Sequence, residues 1–141
     1  MSNYNYGKKS LSNIETTTPT MQELCHRAMS IANKSKLNVP DFGISCGKRE
    51  AEEQNELYQI GRTTAGSIVT QCDGYTKLSI HQSGNAIDFY AVIDGKANYD
   101  VGNLAMIAAC FYQAAMELGL TIVWGGLWKS FTDAPHIEII T

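Results

Sequence analysis

Two short segments far apart in the chain constrain the fold most: Ser79-Ile80-His81-Gln82-Ser83-Gly84-Asn85-Ala86-Ile87-Asp88 and Asp133-Ala134-Pro135-His136-Ile137-Glu138. Between them they carry two of the three histidines of a 141-residue chain, with several carboxylates alongside. A catalytic zinc site takes three protein ligands from His, Asp, Glu or Cys and keeps a fourth position open for water. His81, Asp88 and His136 would fill the three places. Asp133, three residues before His136, could then take the proton of that water. A fold that uses both segments must bring them together.

Each of these residues also has a plainer reading. His81 in a polar loop and Asp88 in a strand could be surface residues or satisfied polar groups, and their spacing alone is weak evidence. His136, behind a proline and between Asp133 and Glu138, strengthens the case. A carboxylate on a strand running into Phe89 and Tyr90 is expected to be buried, and a buried carboxylate needs a partner. Asp133 and Glu138 compete for the role of base. Glu138 shares a strand face with His136, so it either points into the site or supports a ligand histidine from behind. Asp133 lies in the preceding loop, where it could equally be a turn residue before Pro135. Trp124 and Trp128 flank Gly125-Gly126-Leu127 and either wall a groove or pack in the core. Arg49 reads by default as a solvated arginine, although its planar fork suits a carboxylate or an oxyanion. His26 has no acidic or histidine partner at ligand spacing and reads as structural or exposed.

Around these segments the pattern is that of one α+β domain, 1–141, with helices packed on a small, mainly antiparallel sheet. Residues 1–18 are rich in Asn, Ser and Thr and read as a surface arm. Thr20-Met21-Gln22-Glu23 fits a capping box after Pro19, opening a helix to about Asn33. Phe42–Ser45 is a strand candidate, and a helix-forming run from Glu50 ends at Gly61. Residues 63–76 read as loop. Asn85–Ala91 reads as a strand followed by a turn at Asp94-Gly95. Leu104, Ile107, Ala108, Phe111, Ala115 and Leu118 mark the most secure helix, closed by Gly119. Leu120–Trp124 and His136–Ile140 complete the strands.

Composition excludes several function classes. The net charge of −3 is spread without a basic block, which argues against a nucleic-acid partner, since phosphate binding needs clustered Lys and Arg. The longest apolar stretch follows a helical stripe and then a strand, so membrane insertion is not expected. The N-terminus has charge without an apolar core behind it and does not read as a secretory signal. Cys25, Cys46, Cys72 and Cys110 form no CxxC and read as reduced thiols of a protein folded in a cytoplasm.

Ser79-x-His81-x-x-Gly84-x-Ala86-x-Asp88, with the distant Pro135-His136-x-Glu138, resembles the zinc D-alanyl-D-alanine carboxypeptidase group of peptidoglycan peptidases. Within that group the chain most resembles phage endolysins that are L-alanyl-D-glutamate endopeptidases. The likeness extends over nearly the whole chain, through Tyr6-Gly7-Lys8-Lys9-Ser10, Thr18-Pro19, Gly47-Lys48-Arg49-x-x-x-x-Gln54, Leu118-Gly119-Leu120 and Trp124-Gly125-Gly126-x-Trp128.

The resemblance implies zinc held by His81, Asp88 and His136, with Asp133 as base and Arg49 facing the substrate carbonyl or carboxylate. It places Ser79, Gln54, Trp124 and Trp128 against the substrate, with Glu138 behind a ligand. The dipeptidase and carboxypeptidase branches usually carry Glu at the base position, so Asp133 favours the endolysin branch. The implied partner is the peptidoglycan stem peptide, met by a monomer. The implied route is synthesis in the host cytoplasm and release to the wall through a holin. A D-Ala-D-Ala carboxypeptidase with the same metal site, or an inactive wall-binding module, are the alternatives.

Overall fold

The computed structural model describes residues 1–141. Helix α1 (Lys8–Glu15) is followed by α2 (Pro19–Lys34), strand β1 (Asp41–Cys46), α3 (Ala51–Gln59), β2 (Ala86–Ile93), β3 (Lys96–Asn98), α4 (Val101–Leu118), β4 (Thr121–Trp124) and β5 (His136–Ile140). Short 3₁₀ turns precede β2 and follow β4. The strands form one antiparallel sheet in the order β1-β2-β5-β4, and β3 pairs with β2 beyond the end of the β5 ladder. Four helices on a small antiparallel sheet is the α+β architecture that the pattern predicts.

The strand alternation fixes which face is buried. Ile87, Phe89 and Ala91 of β2 are sealed against the helices, joined there by Phe42 and Ile44 of β1 and by Ile137 and Ile139 of β5. Asp88 lies on the opposite face, because successive side chains of a strand alternate. Helix α4 presents Leu104, Ile107, Ala108, Phe111, Ala114 and Ala115 to this core, which accounts for its apolar composition. It ends at Gly119 in the left-handed region (φ 70°), the conformation that favours glycine at a helix C-terminus. Asp94 and Gly95 both take positive φ in the two-residue turn joining Ile93 to Lys96, matching the Asp-Gly hairpin signal.

Two expectations at the N-terminal end need correction. The first eighteen residues are not a surface arm: Lys8–Glu15 is helical, and Tyr6, Ser10, Ile14 and Thr17 are buried. Their polar side chains face β1, where the Ile44 N–H donates to Ser10 Oγ at 2.9 Å and Asn13 Nδ2 donates to the Ile44 carbonyl at 2.8 Å. A composition that looks solvated is thus spent on the exposed edge of a sheet. Helix α2 is capped by Thr18, whose hydroxyl accepts from Met21 N, with Pro19 as its first residue and Thr20 already inside the helix.

Candidate metal centre and cleft

Strand register builds the centre. Asp88 sits directly opposite His136 across the β2–β5 ladder and opposite Cys46 across β1–β2, where a bulge lies between Ile44 and Cys46. His81 comes from the 3₁₀ turn Ile80–Ser83, which Ser79 caps by accepting from His81 N. Gly84 closes that turn in the left-handed region (φ 81°), and its carbonyl receives Thr18 N, which seats the turn against the start of α2. His81 and His136 are both buried.

The facing atoms form a tight triangle. His81 Nε2 lies 3.2 Å from His136 Nδ1, His81 Nε2 3.3 Å from Asp88 Oδ1, and His136 Nδ1 3.5 Å from Asp88 Oδ1. The opposite ring nitrogens are already engaged. His81 Nδ1 meets the Gly47 carbonyl at 2.9 Å and so must carry the proton; His136 Nε2 meets Glu138 Oε1 at 2.8 Å and does likewise. Both remaining lone pairs therefore point at each other and at a carboxylate, three acceptors that repel unless something positive lies between them. Asp88 Oδ1 is buried and has no hydrogen-bond partner. Buried acceptors left unpaired are costly, so this atom is the mark of a ligand.

The neighbouring groups complete the site. Arg49 Nη2 donates to Asp88 Oδ2 at 3.1 Å, leaving Oδ1 for the triangle. Cys46, His81 and Asp88 offer atoms within 4.8 Å of one another, as do Asp88, Asp133 and His136, so two groups competent for a metal ion share Asp88. The His136 ring packs against Trp128, with ring centroids 5.2 Å apart. Burial opposes the charged form of His81, but its contacts with Asp88 and Cys46 outweigh that and push it up to about 9, so that where no cation is bound a proton supplies the positive charge between the facing acceptors. For Asp88, burial is likewise outweighed, by contacts with His136 and His81 and by the charges of His81 and Arg49, which hold it well below the usual carboxylate range. Asp133, exposed at the cleft mouth, is raised, first by partial desolvation of its carboxyl and then by the charge of Asp88.

The triangle opens into a cleft of about 790 Å³. Ser79, Arg49, Trp128, Asp133 and Glu138 line it, together with an apolar wall from Leu57, Ile60, Ile68 and Val69. A second depression, of about 600 Å³, lies between the N-terminal residues and α2. His26 is the one imidazole there, packed edge-on against Tyr6, so convergent chemistry singles out the first cleft.

Two residues expected against the substrate are elsewhere. Trp124 is buried in the core, its Nε1 donating to the Ala134 carbonyl, because the close approach of Gly126 folds the chain back over its indole. Gln54 is fully buried beneath Arg49 and does not line the cleft. The sequence marks Cys46 only as one of four reduced thiols. The strand register that sets it opposite Asp88 could not be seen from spacing, because a bulge intervenes.

Comparison with known proteins identifies the family. Residues 1–140 match the model of a family described as phage L-alanyl-D-glutamate peptidase. The chain is 39% identical over 104 residues to the peptidoglycan L-alanyl-D-glutamate endopeptidase CwlK of Bacillus subtilis (strain 168), a match covering 71% of this chain and 61% of that protein. It is 30% identical over 142 residues to the L-alanyl-D-glutamate peptidase of Escherichia phage T5, covering 96% and 89% of the two chains. The crystal structure of the Serratia marcescens L-Ala D-Glu endopeptidase ChiX shares the fold, with a TM-score of 0.76 at 24% identity over 98% of this chain and 92% of that one.

Proposed function

The chain belongs to the phage L-alanyl-D-glutamate peptidase family, and on that footing we propose that it is a zinc endopeptidase cutting the L-Ala–D-Glu bond of peptidoglycan stem peptides during host lysis. The observation that carries the reading is the triangle of His81 Nε2, His136 Nδ1 and Asp88 Oδ1, with edges of 3.2, 3.3 and 3.5 Å. Tetrahedral zinc with bonds of ~2.0–2.1 Å separates its ligand atoms by ~3.3–3.4 Å, so the three atoms fit the ion without rearrangement. The orphaned Asp88 Oδ1 and the two fixed imidazole tautomers support the same assignment. His81, Asp88 and His136 are the proposed ligands. Cys46 stays outside, since the His81 nitrogen on its side is already committed to the Gly47 carbonyl.

Zinc bound there would supply Lewis acidity toward a water molecule and toward the scissile carbonyl. The protein's own groups do the rest. Asp133 accepts the water proton and passes it to the leaving amine; its raised pKa suits a group that must both take and give a proton. Arg49, fixed at two of its nitrogens, turns its free N–H groups to the substrate carbonyl or carboxylate. Trp128 packs on His136 and excludes water from one side of the centre. Ser79 both lines the cleft and caps the turn that carries His81. Glu138 orients His136.

We assign the whole of residues 1–141 to one catalytic domain acting as a monomer on the wall, without nucleic acid and without inserting in a membrane. Helix α4 has the length and hydropathy of a membrane span, but its apolar stripe is occupied by the core. Synthesis in the host cytoplasm and release through a holin accord with the phage family.

The test is mass spectrometry of fragments released from purified peptidoglycan, with and without a zinc chelator. Chelator-sensitive release of peptides beginning at D-Glu, leaving L-Ala on the glycan, is expected. Release of free D-Ala would move the activity to the carboxypeptidase branch, and no product from zinc-loaded protein would leave a wall-binding module. His81→Ala is expected to lose metal and activity together. Asp133→Ala should keep zinc and hydrolyse nothing; full activity there would refute the base assignment.

A further inference from the structure

Gln54 lies on α3, five positions after Arg49, and none of its surface is exposed. Its Oε1 accepts from Arg49 Nη1 at 3.0 Å, and its Nε2 donates to Thr70 Oγ1 at 3.2 Å and to the Cys72 carbonyl at 3.0 Å. The amide cannot be turned round: a guanidinium only donates and a carbonyl only accepts, so oxygen faces Arg49 and nitrogen faces Cys72. Arg49 is thereby gripped at Nη1 by Gln54 and at Nη2 by Asp88, which fixes the plane of its fork.

The backbone around Gln54 is shaped to hold it. Gly74, at φ 90°, lets the chain after Cys72 close on α3; a Cβ there would sit 2.7 Å from the Ala51 carbonyl and 3.1 Å from Gln54 Cβ. Asn55 Nδ2 adds a bond to the Asp73 carbonyl at 2.8 Å. The outer layer of this clamp is the cleft wall, since Thr70 and Cys72 line the cleft that Gln54 itself does not reach.

We propose that Gln54 is a positioning residue, not a substrate contact: it sets the orientation of the Arg49 guanidinium and ties it to the Thr70–Cys72 wall of the cleft. The proposal rests on the reading of Arg49 as the group that meets the substrate. It assigns Gln54 an effect on turnover that passes through Arg49, with no part in holding the metal.

The test is a double-mutant cycle on the zinc-loaded enzyme, with Gln54→Met, Arg49→Met and the double variant compared for kcat, KM and zinc affinity. Misplacing a catalytic fork by about 1 Å can cost ~100-fold, so Gln54→Met is expected to lower kcat by roughly 10- to 100-fold in the native background. In the Arg49→Met background the same change should lower kcat by less than about 2-fold, because the group it positions is gone. In Gln54→Met zinc affinity should stay within about 3-fold, a smaller change than the 10- to 100-fold typical of losing a group that orients a metal ligand; Arg49→Met also removes the donor to Asp88 Oδ2, so kcat of every variant is compared at saturating zinc. Gln54→Glu keeps the size and the acceptor facing Arg49 but, having no N–H, sets its second oxygen against the Cys72 carbonyl; its loss of kcat should likewise shrink to less than about 2-fold in the Arg49→Met background, which keeps the idea open to test if the methionine variant folds poorly.

Additive losses in kcat with an impaired Arg49→Met would overturn the proposal alone. So would a loss of zinc affinity in Gln54→Met matching its loss of turnover, or a Gln54→Glu loss that persists undiminished in the Arg49→Met background. Wild-type turnover in Arg49→Met would remove the Arg49 reading, and the proposal with it.

Discussion

Asp88 divides its work between two oxygens. Oδ2 is occupied by Arg49, which leaves Oδ1 free for the two imidazoles and for a cation among them. Each imidazole is in turn held from behind, His81 by the Gly47 carbonyl and His136 by the Glu138 carboxylate. The two supports differ in strength, because a carboxylate raises the basicity of its histidine more than a carbonyl does. Glu138→Gln is therefore expected to weaken zinc binding by roughly 10- to 100-fold while leaving the fold intact. Competition with a calibrated chelator reads that loss, and an unchanged affinity would mean that Glu138 does not orient His136. At this scale the sequence is informative where chemistry requires a residue type: the spacing of His81 and Asp88 alone is weak evidence, and His136 behind Pro135 adds the third candidate ligand. The sequence is uninformative for Gln54 and Trp124, whose place depends on which way the chain folds back over them.

Among the elements, α2 and β2 are joined at a single residue. Thr18 Oγ accepts from Met21 N as the helix cap and donates at 2.8 Å to Asn85 Oδ1, just ahead of β2. The same threonine gives its own N–H to the Gly84 carbonyl, at the end of the turn that carries His81. Thr18→Ala loses both side-chain bonds and should cost about 1–2 kcal/mol, measurable as a lower urea midpoint at unchanged slope. Thr18-Pro19 was legible as a helix entry, yet Thr20-Met21-Gln22-Glu23 drew the cap two residues too far along. Both segments offer a threonine three residues before a competent backbone donor. Pro19 decides between them, because proline is favoured at the first helical position and Thr18 is the residue ahead of it.

Helix α1 was missed for a related reason. The stretch from Lys8 to Glu15 carries Leu11 and Ile14 as its only large apolar residues, and so has little helical stripe to read. Its function in the fold is polar: it covers the open edge of β1, which would otherwise present unpaired backbone groups to solvent or to another chain. Ser10 is 4% exposed and takes the Ile44 N–H. Ser10→Ala should leave that donor buried and unsatisfied, at a cost of about 1–3 kcal/mol in the urea transition. A cost near zero would show that water replaces the hydroxyl and that the edge is less tightly sealed than the burial indicates.

For the whole molecule, the proposed metal ties together parts that the sheet joins at one end only. His81 comes from a turn held by hydrogen bonds to Gly47, Arg49 and the start of α2, whereas Asp88 and His136 are paired strand residues. An unfolded chain keeps these ligands apart, so zinc should bind the native state almost exclusively, and binding then adds to stability by mass action. At a free zinc concentration a thousand times the dissociation constant, that gain is about 4 kcal/mol, or a rise in Tm on the order of 10 °C for a domain of this size. Stripping the ion should therefore lower the melting temperature by about that amount and leave the far-ultraviolet dichroism of the folded protein nearly unchanged, since no secondary structure depends on it. The variants sharpen the expectation. Asp133→Ala should melt with the same zinc-dependent shift as the unmodified chain, as the proposed role of proton acceptor requires; a lost shift would assign the ion to Asp88, Asp133 and His136. His81→Ala should show almost none. Cys46→Ser tests the group that Cys46 forms with His81 and Asp88: a full zinc shift in that variant is expected for the proposed His81–Asp88–His136 triangle, whereas its loss would move the ion to the side of Cys46.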